Sequence, residues 1–278
     1  MRIASKEYVI KKMTELMITP KKKFSQNFLT DYEIVVKAID SLGNDLIQTI
    51  EIGPGLGALT QELADRKFPL DAYDIDKDMY NHLSAFFVRY PNVKIFNEDF
   101  LKVDLNRYQE EVNIISNLPY NITTPLIEKI VTSNIRVKKF EFMVQKEVYD
   151  RINAKVGSKD YSPLNIYIQY VGTLSIVRKV PKTSFIPVPN VDSIILMIEF
   201  NKEISKGKEF NKLLYKLIKA SFTSRRKTLL NNLSSFVNGK ENALNIIKKA
   251  NLNPLIRPDQ MELDDYLNLA KVVYMLNK

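Results

Sequence analysis

The chain of 278 residues has no cysteine. That excludes disulfides and thiolate metal sites, and it fits a reducing cytoplasm. Histidine is nearly absent as well, with His82 alone. A single imidazole rules out a metal centre built on paired histidines, so no metal is expected. No Gly-x-Ser-x-Gly turn accompanies His82, which argues against a Ser-His-Asp triad. It lies in a helical run of mixed polarity and reads as a surface or half-buried residue. No apolar run is long enough to span a bilayer. Met1 to Lys12 carries charge but lacks the apolar core of a secretory signal.

Positive charge is in excess. Lysine and arginine number 41 against 32 acidic residues, a formal net charge of +9. A polyanionic partner is implied, nucleic acid or an anionic membrane surface. The abundance of Lys, Asn and Ile in AT-rich genomes produces the same excess, so charge alone only tilts the reading.

Apolar periodicity supplies the architecture. Strands are predicted over residues 46–52, 69–75, 93–97, 112–115, 137–144, 174–180 and 194–200, with helical runs between most of them. This alternation implies a mostly parallel α/β sheet of seven strands, the last an antiparallel edge strand hairpinned to the sixth. Asp31 is placed as the N-cap of a helix that Gly43 closes. A polar linker, Lys202 to Lys208, separates this sheet domain, residues 1–201, from a small all-α domain at 207–278. Ser224-Arg225-Arg226-Lys227 lies at a helix junction there, suited to gripping phosphates or to a solvated charged face.

Two stretches carry chemistry. The first strand runs into Glu51-Ile52-Gly53-Pro54-Gly55-Leu56-Gly57 and a helix follows. Glycine permits a sharp turn and close approach to a ligand. Asp74, 21 residues after Gly53, ends the next strand, near the offset of roughly 20 at which a carboxylate reaches a ribose hydroxyl. The loop lacks the Gly-x-Gly-x-x-Gly spacing of pyrophosphate binders, and Glu51 beside it suits a cation. S-adenosylmethionine, with an amino group and a sulfonium and no phosphate, fits that charge logic better than NAD. Asp99, just past the third strand, can accept from an adenine amine or cap the next turn.

The second stretch is Asn117-Leu118-Pro119-Tyr120, at the end of the fourth strand. Asn117 offers a neutral acceptor. Pro119 biases Leu118 towards an extended conformation, which can aim its carbonyl outward. Tyr120 offers a flat face for a base. A polar turn capping the following helix would use the same residues. Phe185, in a proline-stiffened loop, can clamp a base from the other side or plug the core. The segment Lys21-Lys22-Lys23-Phe24-Ser25-Gln26-Asn27-Phe28-Leu29 suits a basic flap over a ligand or a solvated linker.

Together with Ser25-Gln26-Asn27-Phe28-Leu29 and Phe185-Ile186-Pro187-Val188-Pro189-Asn190-Val191-Asp192-Ser193, these runs make the chain resemble the ribosomal RNA adenine N6,N6-dimethyltransferases, nearest their bacterial small-subunit (kasugamycin-sensitivity) branch. The resemblance covers the sheet domain and the helical tail. It implies a Rossmann-like methyltransferase sheet that binds S-adenosylmethionine through Asn27, Leu29, Gly53, Asp74, Asp99 and Asn117. The position of Asp74 is usually Glu in that family, so its shorter side chain puts the ribose contact in question. The target-adenine positions match Asn117, Leu118, Tyr120 and Phe185. The implied substrate is a pair of adjacent adenosines in a hairpin near the 3′ end of small-subunit (16S) rRNA, within a pre-ribosomal particle. A cytoplasmic monomer with no membrane role is expected. Two alternatives stay open: a large-subunit (23S) methyltransferase of the erythromycin-resistance type, and a non-enzymatic ribosome-assembly factor that binds RNA.

Overall fold

The computed structural model describes residues 2–17, 27–117, 122–133, 135–201 and 207–276. Among these the strands are β1 (Phe28–Leu29), β2 (Thr49–Ile52), β3 (Leu70–Tyr73), β4 (Val93–Phe96), β5 (Glu111–Ser116), β6 (Arg136–Gln145), β7 (Gly172–Val180), β8 (Phe185–Ile186) and β9 (Ser193–Phe200). The helices are α1 (Lys6–Glu15), α2 (Tyr32–Leu42), α3 (Ala58–Asp65), α4 (Lys77–Phe86), α5 (Thr123–Thr132), α6 (Lys146–Ile152), α7 (Pro163–Val171), α8 (Lys208–Ser221), α9 (Leu229–Leu233), α10 (Lys240–Lys249) and α11 (Leu263–Leu276). No helix among the described residues is long and apolar enough to cross a membrane.

The chain divides into two compact units. The first comprises Met1–Leu126, Ile135–Tyr149 and Thr173–Phe200; the second comprises Ile127–Asn134, Asp150–Gly172 and Asn201–Lys278. A seven-stranded sheet in the order β4-β3-β2-β5-β6-β9-β7 organises the first. Pairings from β4 through β6 are parallel, and β9 is antiparallel to β6. This is the Rossmann-like sheet expected, with one difference. The antiparallel strand is not at the edge: β9 is inserted between β6 and β7, and β7 is the edge strand. The reason is composition. Six consecutive residues of β9, Ser193 to Ile198, are buried, as a strand covered on both faces requires. β7 exposes Thr173, Ser175, Ile176 and Lys179 along its length, a polar pattern suited to an unpaired edge.

α2 shows how local chemistry places a helix. Asp31 accepts a hydrogen bond from the Glu33 amide, the N-cap expected of it, and Gly43 ends the helix at φ +89°. Ile34, Val35, Ala38, Ile39 and Leu42 form one buried stripe. They pack with Leu59 and Leu63 of α3 against Ile115, Met143 and Met197 of the sheet. Each large aliphatic side chain buried there contributes roughly 1.5–3 kcal/mol. A neighbouring cluster joins Tyr8 and Val9 of α1 to Met79 and Leu83 of α4. His82 belongs to that contact and is only 9% exposed, with Nε2 3.4 Å from the Tyr8 hydroxyl. It is therefore more buried than its run suggested, because α1 covers that face of α4.

The second unit contains the expected all-α bundle, α8 to α11, with no strand among its described residues from 207 to 276. α7 packs on α8: the Tyr167 and Tyr215 rings stack with centroids 4.8 Å apart, and the Tyr167 hydroxyl donates to the Tyr215 carbonyl at 3.1 Å.

Candidate active site

β2 is buried throughout and lies between β3 and β5, which makes it the topological switch point of the sheet. At its carboxyl end the glycine loop turns with φ +70° at Gly53 and +93° at Gly57. These two glycines serve different ends. A Cβ on Gly57 would stand 2.8 Å from Leu83 Cδ2, so α3 and α4 can approach only without one. Among the described residues a Cβ on Gly53 would meet nothing within 4 Å, so they leave that side of the loop open.

Asp74 ends β3 and is 7% exposed. Its Oδ2 accepts from the Gly55 amide at 3.2 Å and its Oδ1 from the Asp76 amide at 2.8 Å. The carboxylate thus ties the glycine loop to the turn after β3. Asp99, just past β4, accepts from the Leu101 amide at 3.0 Å through Oδ1, which is the capping role, and its Oδ2 lies 3.9 Å from Lys102 Nζ.

Asn117 follows β5 directly. Its Nδ2 donates to the Asn27 carbonyl at 3.4 Å. Only the amide nitrogen can face a carbonyl, so this contact orients the Asn117 side chain and fixes which of its atoms is the acceptor. Asn27 in turn leads into β1, which pairs antiparallel with β8: Phe28 opposite Ile186 and Leu29 opposite Phe185. Three distant segments therefore converge on Asn117. The two-residue ladder that brings them together carries no periodic signal of its own, and the sequence reading treats both its strands as loop.

Two expectations change here. Phe185 is 2% exposed and packs in the core with Leu29 and Val180. Of the two roles open to it, the core phenylalanine is the one seen, because β8 lies against β1 and turns the ring inward. Glu51 is 1% exposed, with Oε2 accepting from Thr60 Oγ1 of α3 at 2.7 Å. Burial, reinforced by the charge of Asp74, pushes its carboxyl up to about 8. Burial thus favours the neutral form of Glu51, and its hydrogen bond to Thr60 joins β2 to α3. Leu118, Tyr120 and the Lys21 to Gln26 part of the basic segment lie outside the described residues.

In the sheet order β4-β3-β2-β5, the strand ends set Asp99, Asp74, Gly53 and Asn117 in a row along one edge. At about 4.8 Å between neighbouring strands the row extends over roughly 14 Å. It offers carboxylate and amide acceptors with an open glycine turn among them. Hydroxyls, an exocyclic amine and an ammonium group match such an edge, and an adenosyl amino acid carries all three. The residues present therefore fit S-adenosylmethionine.

Residues 17–274 match the family model described as "Ribosomal RNA adenine dimethylase". The chain is 40% identical over 264 residues to a "Ribosomal RNA small subunit methyltransferase A" of Streptococcus pneumoniae, covering 91% of each protein. Among solved structures it is similar to a dimethyladenosine transferase from Plasmodium falciparum, with a TM-score of 0.70 and 25% identity over 87% of this chain and 95% of that one. The 23S rRNA methyltransferase ErmE shares the fold at a TM-score of 0.62 and 22% identity, over 89% of this chain and all of the other. With every strand of the sheet and most of the helical tail inside the match, the chain belongs to the ribosomal RNA adenine dimethylase family.

Proposed function

We infer that the protein is an S-adenosylmethionine-dependent enzyme that methylates N6 of adenosines in small-subunit (16S) rRNA during ribosome biogenesis, giving N6,N6-dimethyladenosine. Similarity to the pneumococcal small-subunit methyltransferase supports this. The observation that carries it in the molecule is the row Asp99, Asp74, Gly53, Asn117 at the carboxyl edge of four adjacent strands. The two target adenosines are adjacent in a hairpin near the 3′ end of that RNA. Residues 1–201 carry methyl transfer and residues 207–278 bind RNA. The enzyme works as a cytoplasmic monomer.

S-adenosylmethionine, when bound, supplies an electrophilic methyl group on a sulfonium. The residues proposed to hold it are Asn27, Leu29, Gly53, Asp74, Asp99 and Asn117, with the backbone at Leu29 and Gly53 making the contact. The remaining work is preparing a poor nucleophile, since the adenine N6 lone pair is delocalised into the ring. The Asn117 oxygen accepts one N6 hydrogen and the Leu118 carbonyl the other, which draws both out of the ring plane and localises the lone pair. Tyr120 supplies a face on which the base stacks. Phe185 supports this site from the core, holding Leu29 and hence Asn27 in register. Catalysis is mainly positioning. No strong base is needed, because the proton leaves a nitrogen that is already cationic. The base must first leave its stack, which is easiest in a hairpin loop.

The test is tritiated S-adenosylmethionine with under-methylated small subunits, followed by nucleoside analysis. Label in dimethyladenosine of the small-subunit RNA is expected. Label only in large-subunit RNA, or RNA binding without transfer, would overturn the assignment.

A further inference from the structure

The β1–β8 ladder is two residues long, and a pair of strands that short is marginal by itself. What reinforces it lies just beyond the strands, at one end of the ladder. Thr30 follows β1 and Ser184 precedes β8, and they are 9% and 5% exposed. The Thr30 amide and the Thr30 hydroxyl both donate to the Ser184 carbonyl, at 2.8 and 3.0 Å. One residue thus takes up both lone pairs of that oxygen. The Ser184 hydroxyl in turn donates to Asp31 Oδ2 at 3.2 Å, while Asp31 Oδ1 accepts from the Glu33 amide at 3.1 Å. The N-cap of α2 therefore anchors the clasp, and behind it stands the buried stripe of that helix.

Asn27 stands at the opposite end of β1. Its carbonyl accepts from Asn117 Nδ2 at 3.4 Å, longer than the usual range for such a bond and too weak to hold β1 in place. A slip of one residue would also turn Leu29 and Phe185 out of the core. The register that sets Asn27 against Asn117 must come from elsewhere on β1, and the clasp supplies it: β1 cannot slide along β8 without breaking both Thr30 bonds.

We propose that Thr30 and Ser184 are positioning residues for methyl transfer, which pin β1 to β8 and to the α2 N-cap and so hold Asn27, and through it the Asn117 side chain, in the reactive arrangement. Neither touches cofactor or base. The proposal rests on the reaction inferred above and adds what keeps its two halves, the cofactor segment at 27–29 and the acceptor Asn117, in register. A buried hydroxyl that merely stabilises the fold would leave the rate of the folded enzyme unchanged, whereas a positioning hydroxyl changes the rate more than it changes cofactor affinity.

The experiment uses the full-length protein, tritiated S-adenosylmethionine and under-methylated small subunits, with calorimetry for cofactor affinity and urea midpoints for stability. Thr30→Val keeps the branched shape and removes the hydroxyl. It is expected to lower kcat about tenfold, since a displacement on the order of 1 Å can cost about a hundredfold. Cofactor affinity should fall by no more than about fivefold, the worth of one net hydrogen bond. Thr30→Ser restores the hydroxyl and should restore kcat. Ser184→Ala, which cuts the tie to Asp31, should follow Thr30→Val. Ser41→Ala is the control: it removes the hydroxyl that donates to Glu141 at the other end of α2, and should lower the urea midpoint while leaving kcat as it is. Wild-type kcat in Thr30→Val and Ser184→Ala, no rescue by Thr30→Ser, or an equal fall of kcat in Ser41→Ala would overturn the positioning role. Should Thr30→Val fold poorly, Ser184→Ala, which leaves the Ser184 carbonyl and both strands in place, decides by the same criteria. Methyl transfer by the wild type is read first: its absence would sink the inferred reaction, and this role with it, whereas transfer undiminished in both variants would sink the role alone.

Discussion

Alanine at Gly57 and alanine at Gly53 should separate folding from cofactor binding within one five-residue loop. At Gly57 the backbone sits at φ +93°, and a Cβ would approach Leu83 Cδ2 to 2.8 Å, Phe87 Cε2 to 3.3 Å and Ile3 Cδ1 to 3.4 Å. Leu83 and Ile3 are fully buried and Phe87 nearly so, so none of them can simply swing aside. Positive φ costs an L-residue about 1–2 kcal/mol, and an extra methyl in a packed core about 1–3 kcal/mol. Gly57→Ala should therefore lose about 2–5 kcal/mol, a large part of the 5–15 kcal/mol typical of a folded protein. In urea the midpoint should fall by roughly 1–2 M. At Gly53, φ is +70° but a Cβ would meet nothing within 4 Å among the described residues. Gly53→Ala should lose only the backbone term, about 1–2 kcal/mol. Its methyl would instead occupy the space proposed for the cofactor, and S-adenosylmethionine affinity by calorimetry should fall at least about tenfold, ~1.4 kcal/mol. A wild-type urea midpoint in Gly57→Ala would refute the packing argument. Unchanged cofactor affinity in Gly53→Ala would refute the placement of the ligand.

Asn117→Ala should lose methyl transfer, read with labelled cofactor, by far more than it loses cofactor affinity; near-normal turnover would contradict its role as N6 acceptor. Tyr120→Ala should reduce product formation far more than RNA binding, and equal losses in both would indicate a scaffold instead. Glu141 of β6 is 2% exposed, accepts from the Ser41 hydroxyl, and is pushed by burial from 4.5 up to about 8. A folded-state pKa raised in this way means stability is fully present below 4.5 and is lost as pH rises through 8, by up to about 1.4 kcal/mol per pH unit. Glu141→Gln should flatten the urea midpoint against pH between 5 and 9; parallel curves for the two proteins would show that Glu141 ionises outside that window.

The elements that follow one local rule were legible along the chain. β2, β3 and β5 are largely buried parallel strands and read as short apolar runs. The glycine loop and the aspartates beyond β3 and β4 sit at spacings that chain geometry dictates, so the strand ends that line the site could be placed by counting. The α2 boundaries follow from Asp31 and Gly43, whose capping is local. The tail reads as helices because its apolar stripe never changes period.

Everything that depends on a partner far along the chain had to wait for the tertiary structure. Strand pattern reports burial but not neighbours, so β9 could be recognised as a strand and not as one inserted beside β6. The ladder that sets Leu29 against Phe185 joins residues more than 150 positions apart and is only two residues long. Its existence decides that Phe185 faces the core and that Asn27 reaches Asn117. Ionisation is decided in the same way. Glu51 is an acid in the sequence, and in the fold its neutral, hydrogen-bonded form is favoured, because α3 closes over it and removes the water that would keep it charged. Arg225 is one of three consecutive cations until Asp259 and two carbonyls from a separate loop take up its guanidinium. Residue type and spacing settle which chemistry a chain can offer; long-range packing, by removing water from some of those groups and not others, settles which of them are left to do it.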